Sequence, residues 1–135
     1  MNVRRKLWIV LSLISYLMVS CAGGAPNLIL SELEVDLGEV VNGEVRTLEI
    51  PIRNAGDEAL VIEAVTTSCG CTSARVEPAT IRPGGAGTLI VTYDSGAHGP
   101  EANGLFVRQV FIASNDPDQA EAEFRIIAEV LPPES

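Results

Sequence analysis

The chain has 135 residues, of which 18 are acidic and nine are basic, so its formal net charge is −9 at pH 7. A chain of this length accommodates one domain. The acidic balance argues against nucleic-acid binding and against electrostatic attachment to anionic lipid, because both need a surplus of positive charge.

The first 20 residues have the organisation of a bacterial signal peptide. Basic residues at positions 4–6 precede an uncharged apolar stretch at 7–19, which is short for a span of ~20 residues across a bilayer. The sequence Met18-Val19-Ser20-Cys21 resembles a lipobox, whose cysteine is lipidated and becomes the first mature residue. We predict a lipoprotein signal peptide at 1–20, as an N-terminal helix, with covalent lipid on Cys21. The alternative is an uncleaved anchor helix in which Cys21 has no special role.

Cleavage before Cys21 would leave a lipidated tether at 21–27, a domain at 28–131 and a tail at 132–135. This mature part keeps six basic residues, all arginine, against 18 acidic residues, a formal net charge of −12. An Asp after the lipidated cysteine often signals inner-membrane retention, so Ala22 favours the outer membrane. We therefore expect an extracytoplasmic, membrane-anchored lipoprotein: outer membrane or periplasm in a diderm host, and cell surface in a monoderm host.

Apolar and polar residues alternate with period two from about residue 28 onward, which is typical of strands with one buried face. In GTLIVTYD, for example, Leu89, Val91 and Tyr93 share one face. Turn signals such as Asn42-Gly43 and Ser114-Asn115-Asp116-Pro117 separate such segments. The pattern predicts an all-β fold, an immunoglobulin-like antiparallel β-sandwich of about seven strands.

The predicted core differs from that of an antibody domain. No tryptophan follows Trp8, and the two cysteines beyond the leader are two positions apart, so they cannot bridge facing sheets. Aliphatic residues must form this core together with four aromatic residues: Phe106, Phe111, Phe124 and Tyr93. The strand LFVRQVFIASN also places a charged residue, Arg108, on the same face as Phe106.

Several short motifs occur in the order and spacing of one bacterial family. They are Leu37-Gly38-Glu39-Val40, Arg53-Asn54-Ala55-Gly56, Ser68-Cys69-Gly70-Cys71-Thr72, Arg82-Pro83-Gly84 and Ser114-Asn115-Asp116. On these motifs the chain resembles domain of unknown function 1573 (DUF1573). The resemblance implies a secreted or lipid-anchored Ig-like sandwich, similar to domains of cilium- and centrosome-associated proteins. It implies no catalytic activity.

The motif Ser68-Cys69-Gly70-Cys71-Thr72 is open to three interpretations. Both cysteines can be buried apolar residues on one strand face, with Gly70 allowing a bulge or a close approach. Alternatively they form a disulfide, which requires the chain to bend at Gly70, since strand residues two apart are separated by ~6.6 Å. A disulfide between two molecules belongs to the same interpretation.

The third interpretation is a soft-metal site for Cu(I) or Zn(II) with Cys69, Cys71 and His98 as ligands. His98 is the only histidine, and no methionine follows residue 18. Zinc commonly uses cysteines two to four residues apart, a wider spacing than that found here. The sequence therefore does not lead us to expect a cofactor other than the lipid.

The sequence favours a non-catalytic binding or scaffold module of the cell envelope, and we expect no catalytic residues. The membrane would be contacted through the lipid, the partner would be an envelope protein or a glycan, and nucleic acid is not expected. The alternative function is a thiol-redox or soft-metal-binding envelope protein that uses Cys69 and Cys71.

Overall fold

The computed structural model describes residues 23–134. The predicted signal peptide at 1–20 and the predicted lipidation site Cys21 lie outside the described residues, so both stay predictions. The described chain contains nine strands: β1 (Leu28–Leu30), β2 (Glu34–Val41), β3 (Val45–Asn54), β4 (Leu60–Thr67), β5 (Thr72–Glu77), β6 (Thr80–Ile81), β7 (Ala86–Asp94), β8 (Gly104–Ser114) and β9 (Glu121–Leu131).

The strands form a sandwich of two sheets. One sheet has the order β1-β3-β7-β5 and the other has the order β2-β9-β8-β4-β6. The inward side chains of both sheets join in one hydrophobic core, which confirms the all-β sandwich. Within residues 23–134 there is no helix with the length and apolarity needed to cross a membrane.

The strand count and one strand direction differ in detail from the expectation. Seven strands are longer than three residues, and β1 and β6 are short additions. Neighbouring strands are antiparallel, as expected, except for β2 and β9, which are parallel. Their pairing runs from Glu34 opposite Arg125 to Val41 opposite Leu131. Apolar alternation is the same in either direction, and no hairpin joins these two strands, so no local signal indicates their relative direction.

The core is mostly aliphatic. Phe124 is fully buried and Tyr93 is 2% exposed, while Phe106 is partly buried against the core. The expectation that Phe111 lies in the core is wrong, because this residue is only half-buried and faces outward, opposite Thr66 and Glu123 on the neighbouring strands. Since successive side chains of a strand point to opposite faces, the inward neighbours of Phe111 place its ring on the outer face.

The strand register defines two ends of the sandwich. We call the end at which Leu28 pairs with Asn54 the tether end, because the predicted tether precedes Leu28. We call the opposite end, at which Val45 pairs with Asp94, the distal end. The ten residues of β3 separate these ends by about 30 Å. The tether end contains the turns at 54–60, 82–86 and 114–121, and the distal end contains those at 41–45, 67–72 and 94–104.

Part of the predicted tether is bound to the domain. The Ala25 N–H donates to Asp57 Oδ1 (3.0 Å), and the Asp57 N–H donates to the carbonyl of Ala25 (3.1 Å). The Asn27 N–H donates to Asn54 Oδ1 (3.1 Å), and the Ala55 N–H donates to the Asn27 carbonyl (2.8 Å). Residues 25–27 thus belong to the folded unit at the tether end.

Candidate functional site

Both cysteines lie in the turn from β4 to β5, which crosses from one sheet to the other at the distal end. The Thr72 N–H donates to the carbonyl of Cys69 (3.2 Å). Thr67 Oγ1 lies 3.0 Å from the carbonyl of Cys69 and 2.9 Å from that of Thr72. The Thr67 hydroxyl therefore holds both sides of the turn together.

Ser68 extends the pairing of β4 with β8 into this turn. Its N–H donates to the carbonyl of Gln109 (2.9 Å), and its Oγ accepts the Gln109 N–H (3.0 Å). The Asp94 N–H donates to the carbonyl of Cys71 (2.9 Å), so the segment is also held by the facing sheet. The cysteine turn is consequently attached to both layers of the sandwich.

The Cα atoms of Cys69 and Cys71 are 5.2 Å apart, and the structure joins the two residues by a disulfide. This Cα separation lies within the usual range for disulfides. The cysteines occupy a turn, so the spacing of extended strand residues does not apply to them. Cys71 is 3% exposed within the core, whereas Cys69 is partly exposed at its rim, so the packing interpretation describes Cys71 better than Cys69.

Gly70 does not have the steric role expected from the sequence. A Cβ added at this position would meet no atom within 4 Å, and the backbone φ lies outside the left-handed region. The bend that brings the cysteines together is therefore open to ordinary residues. The hydrogen bonds of Thr67 and Thr72 stabilise this bend.

The two sulfur atoms have different polar neighbours. His98 Nε2 lies 3.0 Å from Cys69 Sγ, and the Cys71 N–H donates to the same sulfur (3.1 Å). Arg108 Nε donates to Cys71 Sγ (3.1 Å), and Thr72 Oγ1 lies 3.5 Å from that sulfur. The ligand atoms of Cys69, Cys71 and His98 all lie within 4.8 Å of one another, so the structure brings the three predicted residues together.

The loop that carries His98 is held against the rest of the distal end. Asn42 Nδ2 donates to the carbonyls of Gly99 (3.0 Å) and Ala102 (3.1 Å). At the start of the loop, Ser95 Oγ accepts the Gly43 N–H (3.0 Å). An exposed histidine is thereby kept next to a partly exposed sulfur.

Arg108 contacts the cysteine pair, although the sequence analysis did not include it in the candidate site. Its guanidinium carbon lies 4.7 Å from the ring centre of Phe106, and Nη1 donates to the carbonyl of Val107 (3.2 Å). Among residues 23–134 no carboxylate forms an ion pair with Arg108, in contrast to Arg46 and Arg125, which pair with glutamates. The sequence feature that could have indicated this contact is the position of Arg108, a charged residue on the apolar face of β8.

Tyr93 lies opposite Thr72 in the sheet, and its hydroxyl is subject to the electrostatic field of Arg108. Burial raises the pKa of the Tyr93 hydroxyl above its ordinary value; the positive charge of Arg108 acts in the opposite direction, and Asp94 adds to the rise. The field of Arg108 thus acts on two groups of the distal end, the Tyr93 phenol and the Cys71 sulfur.

The arrangement has two chemical uses. Two sulfurs in bonding range can cycle between dithiol and disulfide, and two thiolates with one imidazole can bind a soft metal. The positive charge of Arg108 beside Cys71 favours a thiolate at that sulfur. The same charge disfavours a doubly charged metal ion at that position.

Residues 28–130 match the family described as "Protein of unknown function (DUF1573)". This match covers almost all of the described domain and confirms the resemblance that the motifs indicated. A comparison with curated proteins gives no significant match.

Solved structures share the fold. A protein of unknown function from Porphyromonas gingivalis W83 matches with a TM-score of 0.64 at 25% identity, over 78% of this chain and 46% of that one. This chain therefore spans less than half the length of that protein. The ASH/PapD-like domain of human CEP192 (PapD-like domain 7) matches with a TM-score of 0.60 at 9% identity, over 82% and 89% of the two chains. The YadV chaperone matches with a TM-score of 0.54 at 13% identity, over 80% and 52%. The last two similarities concern the fold alone.

Proposed function

We propose that this chain, which belongs to the DUF1573 family of proteins of unknown function, is a lipid-anchored cell-envelope module that binds a partner without catalysing a reaction. The observation that carries this proposal is a groove next to a sheet edge. β5 pairs with β7 on one side and forms the edge of its sheet on the other. Between β5 and β4 lies a groove of about 270 Å³, lined mainly by small and apolar side chains, including Ile62, Val65, Ala74 and Val76.

An extended peptide is the partner that this surface suits best. The main chain of such a peptide can add to the open edge of β5, and its alternate side chains can enter the groove. A glycan would not use the backbone groups of the edge in this way. The proposed partner is therefore an envelope protein with an exposed extended segment.

The docked residues 25–27 determine how the module would be held. With lipid on Cys21, the four steps from Cys21 to Ala25 reach at most about 14 Å. Because Ala25 is hydrogen-bonded to Asp57, the tether end would face the membrane and the distal end would point away from it. The groove between β4 and β5 would then open along the membrane plane, at the side of the domain.

Photo-crosslinking in intact cells tests the binding function. A photoreactive residue at Ala64, which is exposed in the groove, should give one defined protein adduct. The same residue at Thr47, exposed on the outer face of the other sheet, should give none. An equal yield from both positions would contradict the proposal.

Metabolic labelling tests the proposed lipid anchor. Labelled fatty acid should be incorporated into the wild-type chain and not into the Cys21→Ser variant.

A second candidate function, thiol-redox or soft-metal chemistry, is favoured by the clustering of Cys69, Cys71 and His98 within 4.8 Å. Thiol titration and metal analysis of the purified chain test it. Two unreactive thiols with no bound metal would exclude this function and leave the binding function unaffected.

A further inference from the structure

The two sulfur atoms of the distal end differ in access. The exposed surface of Cys71 is 3% of its maximum, and β8 covers it with the side chain of Arg108. Cys69 is partly exposed and lies beside the exposed ring of His98. A thiol arriving from solvent therefore reaches Cys69 before it can reach Cys71.

The same sulfurs differ in charge stabilisation. Arg108 donates through Nε to Cys71 Sγ at 3.1 Å, and within residues 23–134 it has no carboxylate partner. A partly buried cation without a counter-ion is stabilised by a neighbouring anion. A thiolate on Cys71 would supply this negative charge.

We propose that Cys69 and Cys71 form a directional thiol–disulfide exchange site, in which Cys69 is the attacked sulfur and Cys71 is the leaving group stabilised by Arg108. The substrate class is a dithiol of another exported protein. This inference rests on the second candidate function and is independent of the groove. It assigns His98 and Arg108 separate roles in one exchange reaction.

The exchange proceeds in two steps. A thiolate of the dithiol attacks Cys69 Sγ and bonds to it; the Cys69–Cys71 bond breaks, and its electron pair stays on Cys71 Sγ beside Arg108. The second thiol of the dithiol then attacks the sulfur bonded to Cys69, and Cys69 leaves with the electron pair of that bond.

The electrons and protons of this reaction balance. The dithiol loses two electrons and two protons and becomes a disulfide, and the cysteine pair gains the two electrons. Cys69 takes one proton, which His98 Nε2, 3.0 Å from its sulfur, can relay from the incoming thiol, and the other proton goes to water while Cys71 remains a thiolate.

Single-cysteine variants test which of the two sulfur atoms a reagent from solvent can reach, and the direction of attack depends on this access. The experiment uses the full-length chain in detergent with Cys21→Ser, so that Cys69 and Cys71 are the only cysteines. After addition of Cys71→Ser, the remaining Cys69 should form a mixed disulfide with dithionitrobenzoate at least about tenfold faster than Cys71 does in the Cys69→Ser variant, because burial limits access of the reagent. Equal rates, or a faster reaction at Cys71, would overturn the assignment.

Reduction of the oxidised chain by dithiothreitol tests the role of Arg108. Arg108→Gln should slow the reduction by about tenfold, because a hydrogen bond to a charged leaving group is lost. Arg108→Lys should retain most of the rate, and Arg75→Gln, at an exposed arginine, should be unchanged. Misfolding of Arg108→Gln would expose the disulfide and accelerate its reduction, so slower reduction cannot arise from unfolding. An unchanged rate in Arg108→Gln would overturn the inference, as would a stoichiometric copper or zinc ion held by Cys69 and Cys71 in the purified chain.

Discussion

The backbone N–H of Leu28 donates a 2.8 Å hydrogen bond to Oδ2 of Asp116, a residue 88 positions further along the chain. Asp116 is 3% exposed, and its other carboxylate oxygen accepts the N–H groups of Asp118 (2.9 Å) and Gln119 (3.2 Å). One carboxylate thus joins the first strand of the domain to the loop before the last strand.

Asp116→Asn should destabilise the domain, because an amide in place of the carboxylate directs a donor at backbone N–H groups that need an acceptor. We expect the free energy of unfolding to fall by about 1–3 kcal/mol, measured by urea denaturation followed by circular dichroism. Asp118→Asn, at an exposed position, is the matched control and should change it by less than about 0.5 kcal/mol. Equal effects would mean that the Leu28 contact does not hold β1.

Gly56→Ala should detach the N-terminal segment from the tether end. A Cβ at Gly56 would clash with the carbonyl oxygen of Ala25 and would lie 2.7 Å from the backbone nitrogen of Asn27. Hydrogen exchange at the amides of Ala25 and Ala55, which donate across this contact, should therefore become faster. Gly23→Ala, where an added Cβ meets nothing, should leave both amides protected. Protection retained in Gly56→Ala would contradict the close approach of residues 25–27 to Gly56.

Gly70→Ala and Gly43→Ala form a matched pair, because both added methyl groups enter open space. Gly43 has a φ of +99°, a conformation that L side chains rarely adopt, whereas Gly70 does not. Gly43→Ala should therefore lower the free energy of unfolding by about 1–2 kcal/mol, and Gly70→Ala should leave it equal or slightly higher because the unfolded chain loses freedom. Thermal or urea unfolding measures both. A large loss in Gly70→Ala would restore the steric role inferred from the sequence.

Tyr93 should make the domain less stable at alkaline pH. The pKa of its hydroxyl is raised in the folded state, so above the unfolded value of about 10 the folded chain keeps a proton that the unfolded chain has lost. Stability should be unaffected by this group below pH about 10 and should fall as the pH rises through the folded pKa. Tyr93→Phe should remove this part of the pH dependence. Tyr93 is the only tyrosine after residue 16, so phenolate absorbance of a chain cleaved before Cys21 reports its titration. A midpoint at or below that of the unfolded chain would contradict the prediction.

Leu89→Ala and Leu105→Ala compare one substitution in the core and on the surface. Leu89 is fully buried, and Leu105 is 67% exposed. Truncating Leu89 should cost about 2–5 kcal/mol of unfolding free energy, because it leaves a cavity, and truncating Leu105 should cost less than about 0.5 kcal/mol. A comparable loss from Leu105→Ala would show that its side chain is covered by a partner copy or another surface.

The strand content and the family were readable from local sequence. Alternation with period two depends only on a residue and its near neighbours, so the inward faces of β7 and β9 follow from the apolar positions of GTLIVTYD and AEFRIIAEV. The same alternation, applied consistently, places Phe111 on the outer face. Short motifs such as Ser68-Cys69-Gly70-Cys71-Thr72 were enough to indicate the family.

Which residues meet at the cysteine site depends on contacts between residues that are far apart in the chain. His98 reaches Cys69 across 29 positions, and Arg108 reaches Cys71 across 37, because the strand registers bring the turns at 67–72 and 94–104 to the same end of the sandwich. Strand direction also belongs to this level, as the parallel pairing of β2 with β9 shows. The sequence by itself determined which residues alternate, turn and carry reactive sulfur. The tertiary structure alone decided which cation lies next to which sulfur, since that depends on how two sheets pack and not on any local spacing.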